Sequence, residues 1–169
     1  MRLYLVRHAE AIERSGTLPD AQRYLTAKGR LAFREIARRV RDAGAAPDII
    51  FSSPLLRAVQ TAEILSERLK HRGDIVVARE LAPGFDHEAL HSLLYGEEGL
   101  REAAFVGHEP DLGILSAYLL SPAAAYFPFR KGAVAALETG KDVSKGSARF
   151  LWRADGKGMV TELSDASEG

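Results

Sequence analysis

The sequence predicts an α/β protein, a three-layer α/β/α sandwich around a mainly parallel sheet with one antiparallel edge strand. Three observations predict it. Short apolar runs suited to buried strands alternate with longer segments of helical period. That alternation persists from residue 2 to about residue 120, and two further strand-like runs close the chain.

Residues 2–7 (Arg-Leu-Tyr-Leu-Val-Arg) read as the first buried strand. Residues 9–25 read as loop, punctuated by Ser15-Gly16 and Pro19-Asp20. Thr26 suits a helix N-cap, Phe33, Ile36, Ala37 and Val40 then recur at helical spacing, and Gly44 ends the helix. Residues 48–52 form the second strand. Ser53-Pro54 is expected as N-cap and first residue of a helix reaching about Lys70, with Ala58, Ala62, Leu65 and Leu69 on one face. Ile75 to Ala78 is the third strand and Asp86 to Tyr95 a helix stopped by Gly96. Ala103 to Val106 is the fourth strand and Pro110 to Leu120 its helix. Gly132 to Glu138 and Ser147 to Arg153 close the sheet as a hairpin-like pair at one edge, and the polar tail after about 156 is expected to fray. Tyr4, Trp152 and the phenylalanines read as core. No linker interrupts the pattern, so residues 1–169 are expected to form one domain.

Composition excludes several functions. The absence of cysteine rules out disulfides, thiolate metal sites and cysteine nucleophiles. The apolar run Leu3–Val6 is too short for a signal-peptide core, and no stretch approaches the ~20 apolar residues of a membrane span, so a cytoplasmic protein without membrane contact is expected. Net charge is zero, although residues 1–72 hold 14 Lys/Arg against 8 Asp/Glu. Arg30, Arg34, Arg38, Arg39 and Arg41 account for much of that excess as the solvated face of a helix. With few aromatics between them, no nucleic-acid partner is expected.

In a mainly parallel sheet, ligands bind beyond the carboxyl ends of the strands. That rule gathers Arg7-His8, Ser52 to Arg57, Glu80 to Asp86 and Gly107-His108-Glu109 at one crevice. Arg7 follows a buried apolar run, where an unpaired charge is costly. Arg57 lies in the first turn of a helix, where the dipole disfavours a cation. Both positions make sense around an anion, and the guanidinium fork suits phosphate oxygens. A histidine whose second nitrogen is oriented by an acceptor can act as a nucleophile, and His8 sits at the tip of the first strand. His108 could donate to a phosphoryl oxygen, or else cap the helix behind it. His87 and His91, four apart on one helix, have a spacing that could hold a metal, but no third ligand is evident and no metal is expected.

Leu5-Val6-Arg7-His8-Ala9-Glu10 resembles the Arg-His-Gly signature of the histidine phosphatase (phosphoglycerate mutase-like) superfamily, with Ala9 in place of Gly. Ser52-Ser53-Pro54-Leu55-Leu56-Arg57-Ala58-Val59-Gln60-Thr61-Ala62-Glu63 is similar to its second block, Val106-Gly107-His108-Glu109-Pro110 to the block carrying its second histidine, and Leu25-Thr26-Ala27-Lys28-Gly29 to its helix-opening block. The blocks stand in family order across residues 3–112. Compact length, the Arg-His-Ala variant and Glu80-Leu81-Ala82-Pro83-Gly84 bring the chain nearest to the SixA-type phosphohistidine phosphatases.

The resemblance implies His8 as phosphoryl acceptor and Arg7, Arg57 and His108 as the phosphate pocket, with no cofactor. It implies phosphohistidine on a partner protein as substrate, with a monomeric enzyme expected. Pro83 stands where mutase-type members carry a proton-donating Glu, which leaves Glu80, Asp86 and Glu109 as candidate acids, Glu80 first. A small-metabolite phosphomonoesterase or mutase, and a non-catalytic sensor of phospho-ligands, are the alternative readings.

Overall fold

A computed structural model describes residues 1–97, 99–120, 126–140 and 143–164. Its strands are β1 (Arg2–Arg7), β2 (Ile49–Ser52), β3 (Ile75–Val77), β4 (Glu102–Gly107), β5 (Val134–Thr139), β6 (Ala148–Asp155) and β7 (Gly158–Val160). Its helices are α1 (Ala27–Asp42), α2 (Leu56–Leu69), α3 (His87–Leu94) and α4 (Asp111–Leu120), with single 3₁₀ turns at Asp20–Gln22 and Arg79–Leu81. All seven strands lie in one sheet, in the order β3-β2-β4-β1-β5-β6-β7.

β1 is central, and Leu3, Tyr4, Leu5 and Val6 are all buried, as a strand covered on both faces requires. Its alternate side chains feed two cores. Tyr4 and Val6 pack with Phe33, Ile36 and Val40 of α1 and with Ala58, Ala62 and Leu65 of α2. Leu3 and Leu5 pack on the other face with Phe105, Leu90 of α3, and Leu112, Leu115 and Leu119 of α4. The sandwich therefore has the predicted three layers.

The antiparallel part of the sheet is larger than one edge strand. β1–β4, β4–β2 and β2–β3 are parallel pairs. β5 runs antiparallel to β1 in the sheet interior, and β6 and β7 continue antiparallel from it. The connections from β5 to β6 and from β6 to β7 are too short for the crossover that parallel neighbours need. The predicted closing pair is thus β5 and β6, but β7 is the edge. Residues 158–160, assigned to a fraying tail, turn back on β6 through Asp155, whose Oδ1 accepts the Lys157 N–H at 2.8 Å. The last five residues lie outside the described part. Among the described residues no helix is long and apolar enough to cross a membrane.

Two local features shape the loops at the carboxyl end of the parallel strands. Thr26 caps α1 by accepting from the Gly29 N–H at 2.9 Å. Gly29 must be glycine because a Cβ there would collide with the Glu10 carbonyl oxygen, so the loop leaving β1 rests directly on the start of α1. α2 begins at Leu56, not at Pro54 as expected, and Leu55 is its N-cap residue.

Candidate active site

His8 extends from the tip of β1, and its backbone is fixed on both sides. Its N–H donates to Gly107 O at 3.1 Å, and its carbonyl accepts from Gly132 N at 3.1 Å. The imidazole Nδ1 lies 2.7 Å from Ala9 O, a partner that can only accept. Nδ1 therefore carries the proton and Nε2 the lone pair. Arg57 Nε donates to that Nε2 at 3.2 Å. Ala9, which replaces the glycine of the signature, is itself held: its N–H donates to Thr61 Oγ1, whose hydroxyl donates to Arg57 O at 2.6 Å.

Burial pulls the pKa of His8 from its ordinary 6.5 to about 4. The bond to Ala9 O opposes that fall, while the charges of Arg57, Arg7 and Arg23 add to it. His108 is buried more completely and falls to about 3, again through desolvation first, then through His8 and Arg57. The rings lie 5.2 Å apart, centre to centre. His108 Nε2 lies 2.7 Å from Ser53 Oγ, and its buried Nδ1 has no hydrogen-bond partner.

The two predicted arginines flank the histidines. Arg57 is almost wholly buried and gives its Nη1 to Asp20 O at 2.8 Å and its Nη2 to Asp20 Oδ2 at 3.1 Å. Arg7 donates from Nη1 to Phe129 O at 2.5 Å, and its buried Nε is unpartnered. An unpaired guanidinium N–H in a desolvated place is poised for an anion.

The structure also brings in groups that the sequence alone does not single out. Asp20 stands in the loop between β1 and α1 and accepts from Arg57, from Arg23 Nη1 at 3.0 Å and from Arg14 Nε at 3.1 Å. Burial alone would raise its carboxyl, but the bonds from Arg23 and Arg57 outweigh this and lower it to about 2. Arg23 thereby becomes a third guanidinium close enough to act on His8. Its only sequence signal is its place just ahead of the Leu25-Thr26 block. Ser53, expected as a helix cap, is completely buried against His108 instead. Its Oγ also accepts the Leu55 N–H at 3.4 Å, just ahead of the start of α2.

The candidate acids separate. Glu80 is exposed on the 3₁₀ turn after β3, and no hydrogen bond ties it to the site. Asp86 caps α3 by accepting from the Glu88 N–H at 2.9 Å. Glu109 is part-buried, accepts from Phe129 N at 3.0 Å and from the Tyr126 hydroxyl, and burial raises its pKa. His87 stacks on Tyr118, at 4.5 Å between ring centres, and stands 6.3 Å from the His91 ring. Among the described residues no cluster of three or more His, Cys, Asp or Glu is placed to hold a metal.

A neutral imidazole whose Nε2 lone pair is held by nothing stronger than a guanidinium N–H, set among guanidinium groups at the carboxyl edge of an α/β sheet, is equipped to take up phosphoryl groups. The comparisons with known proteins carry this further. Residues 3–82 match the family model described as histidine phosphatase superfamily (branch 1). An uncharacterized protein of Picosynechococcus sp. is 39% identical over 117 residues, covering 67% of this chain and 69% of that one. The solved structure of the protein histidine phosphatase SixA complexed with tungstate superposes with a TM-score of 0.81 at 26% identity, covering 93% of this chain and 98% of that one. The putative phosphohistidine phosphatase SixA from Agrobacterium tumefaciens shares the fold, with a TM-score of 0.75 at 24% identity over 90% and 96% of the two chains. The chain belongs to the histidine phosphatase superfamily, and its activity is that of a phosphatase.

Proposed function

We propose that this phosphatase removes phosphate from phosphohistidine on a partner protein in the cytoplasm, through a phosphohistidine intermediate on His8. The observation that carries the mechanism is the His8 tautomer: Nδ1–H is held by Ala9 O, and Nε2 faces Arg57 with its lone pair available. Nε2 attacks phosphorus in line. A P–N bond forms as the bond to the leaving group breaks, and the leaving group keeps its electron pair. Arg57 then turns from Nε2 to the phosphoryl oxygens, joining Arg7 Nε and His108 as the charge spreads over them. Water next attacks phospho-His8 from the opposite side, releasing inorganic phosphate and restoring neutral His8. In this reading the guanidinium groups supply the charge that magnesium supplies elsewhere, so no cofactor is required.

Two observations support phosphohistidine as substrate. The solved structure that superposes on 93% of this chain is that of a protein histidine phosphatase, and the tungstate it holds is a tetrahedral oxyanion shaped like phosphate. Moreover, Pro83, exposed Glu80 and capping Asp86 leave that stretch without a carboxylate aimed at the histidines. A departing imidazole can take its proton from solvent on the remote nitrogen, whereas an alkoxide gains about 10²–10⁴ in rate from a positioned acid.

Rapid quench with labelled substrate is expected to trap an acid-labile, alkali-stable phosphoenzyme that disappears in His8→Ala. Undiminished turnover by that variant would end the mechanism. A phosphohistidine-bearing domain is expected to exceed sugar and glycerate phosphates in kcat/KM. An ester that equals it would make the protein a small-molecule phosphatase of the same chemistry.

A further inference from the structure

Glu109 follows His108 directly, yet its carboxylate does not turn toward either imidazole in a hydrogen bond. Oε1 accepts the Phe129 N–H at 3.0 Å, and Oε2 accepts the Tyr126 hydroxyl. Both bonds reach the same short segment, residues 126–130, which crosses above the sheet between α4 and β5. The next peptide unit turns toward the site, for the Phe129 carbonyl accepts Arg7 Nη1 at 2.5 Å. One residue, Phe129, thus links Glu109 to Arg7 with its N–H on the carboxylate and its carbonyl on the guanidinium.

The segment has further anchors. Phe127 N donates to Gly113 O at 3.0 Å, and a Cβ at Gly113 would collide with the Tyr126 ring. The Phe127 and Phe129 side chains are buried. These contacts hold the start of the segment and its side chains. The Pro128–Phe129 peptide is held by Glu109 on the Phe129 N–H, with Arg153 Nη1 3.5 Å from the Pro128 carbonyl, and the next peptide unit, whose carbonyl meets Arg7, is hinged on the residue so held. Arg7 Nε, buried and unpartnered, is aimed by the same arrangement.

We propose that Glu109 is a positioning residue of this phosphatase: through Phe129 it fixes the direction of the Arg7 guanidinium, and hence the affinity of the site for the phosphoryl group. The inference rests on the proposed phosphate pocket. It assigns Glu109 no proton transfer, because both oxygens are turned to residues 126 and 129 and neither hydrogen-bonds an imidazole.

The experiment compares wild type, Glu109→Ala, Arg7→Ala and the double variant, with Glu109→Gln as a milder change of the same shape. Tungstate binding by calorimetry and kcat/KM for p-nitrophenyl phosphate and a simple alkyl phosphate are the readouts, with circular dichroism as the folding control. Loss of a hydrogen bond to a charged group predicts roughly tenfold or more weaker tungstate binding in Glu109→Ala, and a smaller loss in Glu109→Gln. Both esters should lose kcat/KM by the same factor, and in the Arg7→Ala background the Glu109 change should add nothing. A loss confined to the alkyl ester would mark Glu109 as a general acid and overturn the proposal. So would additive losses in the double variant, or unchanged tungstate affinity in folded Glu109→Ala. Failure of wild type to bind tungstate would overturn the phosphate pocket itself, and the anchoring with it.

Discussion

Burial and the nearby guanidinium groups keep His8 unprotonated down to about pH 4, so the nucleophile is in its reactive form across the physiological range. The acid limb of kcat/KM reports the free enzyme's essential base. It is therefore expected near pH 4, well below the ordinary histidine value of 6.5, in a pH–rate profile taken with p-nitrophenyl phosphate and corrected for its own ionisation. A limb at about pH 6 or above would mean that His8 is solvated and not held as described. Ser53 gives a second prediction at this scale. Its hydroxyl orients a buried imidazole, and a hydrogen bond of that kind is worth about 1–3 kcal/mol when its partner is left buried. Ser53→Ala is expected to lower kcat/KM on the order of tenfold without removing the phosphoenzyme, as steady-state and quench measurements on one preparation would show. The sequence made the two histidines and Arg7 and Arg57 legible, because each stands beside a strand end with its type and spacing intact. Ser53 was legible only as a cap. Ser-Pro before an apolar helix carries the same signal whether the hydroxyl serves the helix or a ring from β4.

Among the elements, the loop from Ala9 to Leu25 and the start of α1 act together. Thr26 N donates to Glu10 O, and Gly29 lies against that same carbonyl. The loop carries Asp20 and Arg23 to Arg57, so a side chain at residue 29 would move charges it does not touch. Gly29→Ala is expected to cost about 1–3 kcal/mol of stability by overpacking against backbone that cannot yield. It should also weaken vanadate inhibition, and urea unfolding and inhibition assays test the two effects separately. Unchanged inhibition in the destabilised variant would uncouple the loop from the phosphate pocket. Helical periodicity located α1 and α3 within a residue or two of their ends, and the apolar runs located β1, β2 and β4. The 3₁₀ turn at Asp20–Gln22 has no such period, and neither do three residues of β7, whose pairing depends on a turn closed by Asp155. Elements this short are specified by their partners and leave little trace in the chain itself.

For the molecule as a whole, the paired buried histidines make stability depend on pH. Each has a lower pKa in the folded state than its ordinary 6.5, so the unfolded chain binds more protons below that value. Stability is therefore full above about pH 6.5 and falls as the pH drops toward 4 for His8 and toward 3 for His108. For His8 the full effect is on the order of 3 kcal/mol. Urea titrations at about pH 7 and about pH 4.5 are expected to show this loss, and His108→Gln should remove part of it. An equal loss in the variant would trace the acid sensitivity to other groups. The layer order of the fold was readable from the alternation of runs. The hairpin of β5 and β6 was readable too, but the antiparallel docking of β5 beside β1 was not, because periodicity records which faces of a strand are buried and says nothing of its neighbour or direction.

The central place of β1 has a consequence for how the protein is made. β1 is flanked by β4 and β5, so residues 2–7 find their neighbours only among residues 102–107 and 134–139. At about 5–20 residues per second, the strand that holds His8 leaves the ribosome several seconds before its second neighbour is synthesised. During that interval Leu3, Tyr4, Leu5 and Val6 form an uncovered apolar ribbon with two open edges, the kind of segment that chaperones bind and that aggregates when they do not. Nascent chains stalled after residue 120 should therefore stay protease-sensitive around residues 2–7, and those stalled with residue 164 outside the exit tunnel should resist. The nucleophile is thus translated before either strand that flanks its own, and the phosphate pocket can close around it only once β5 has followed.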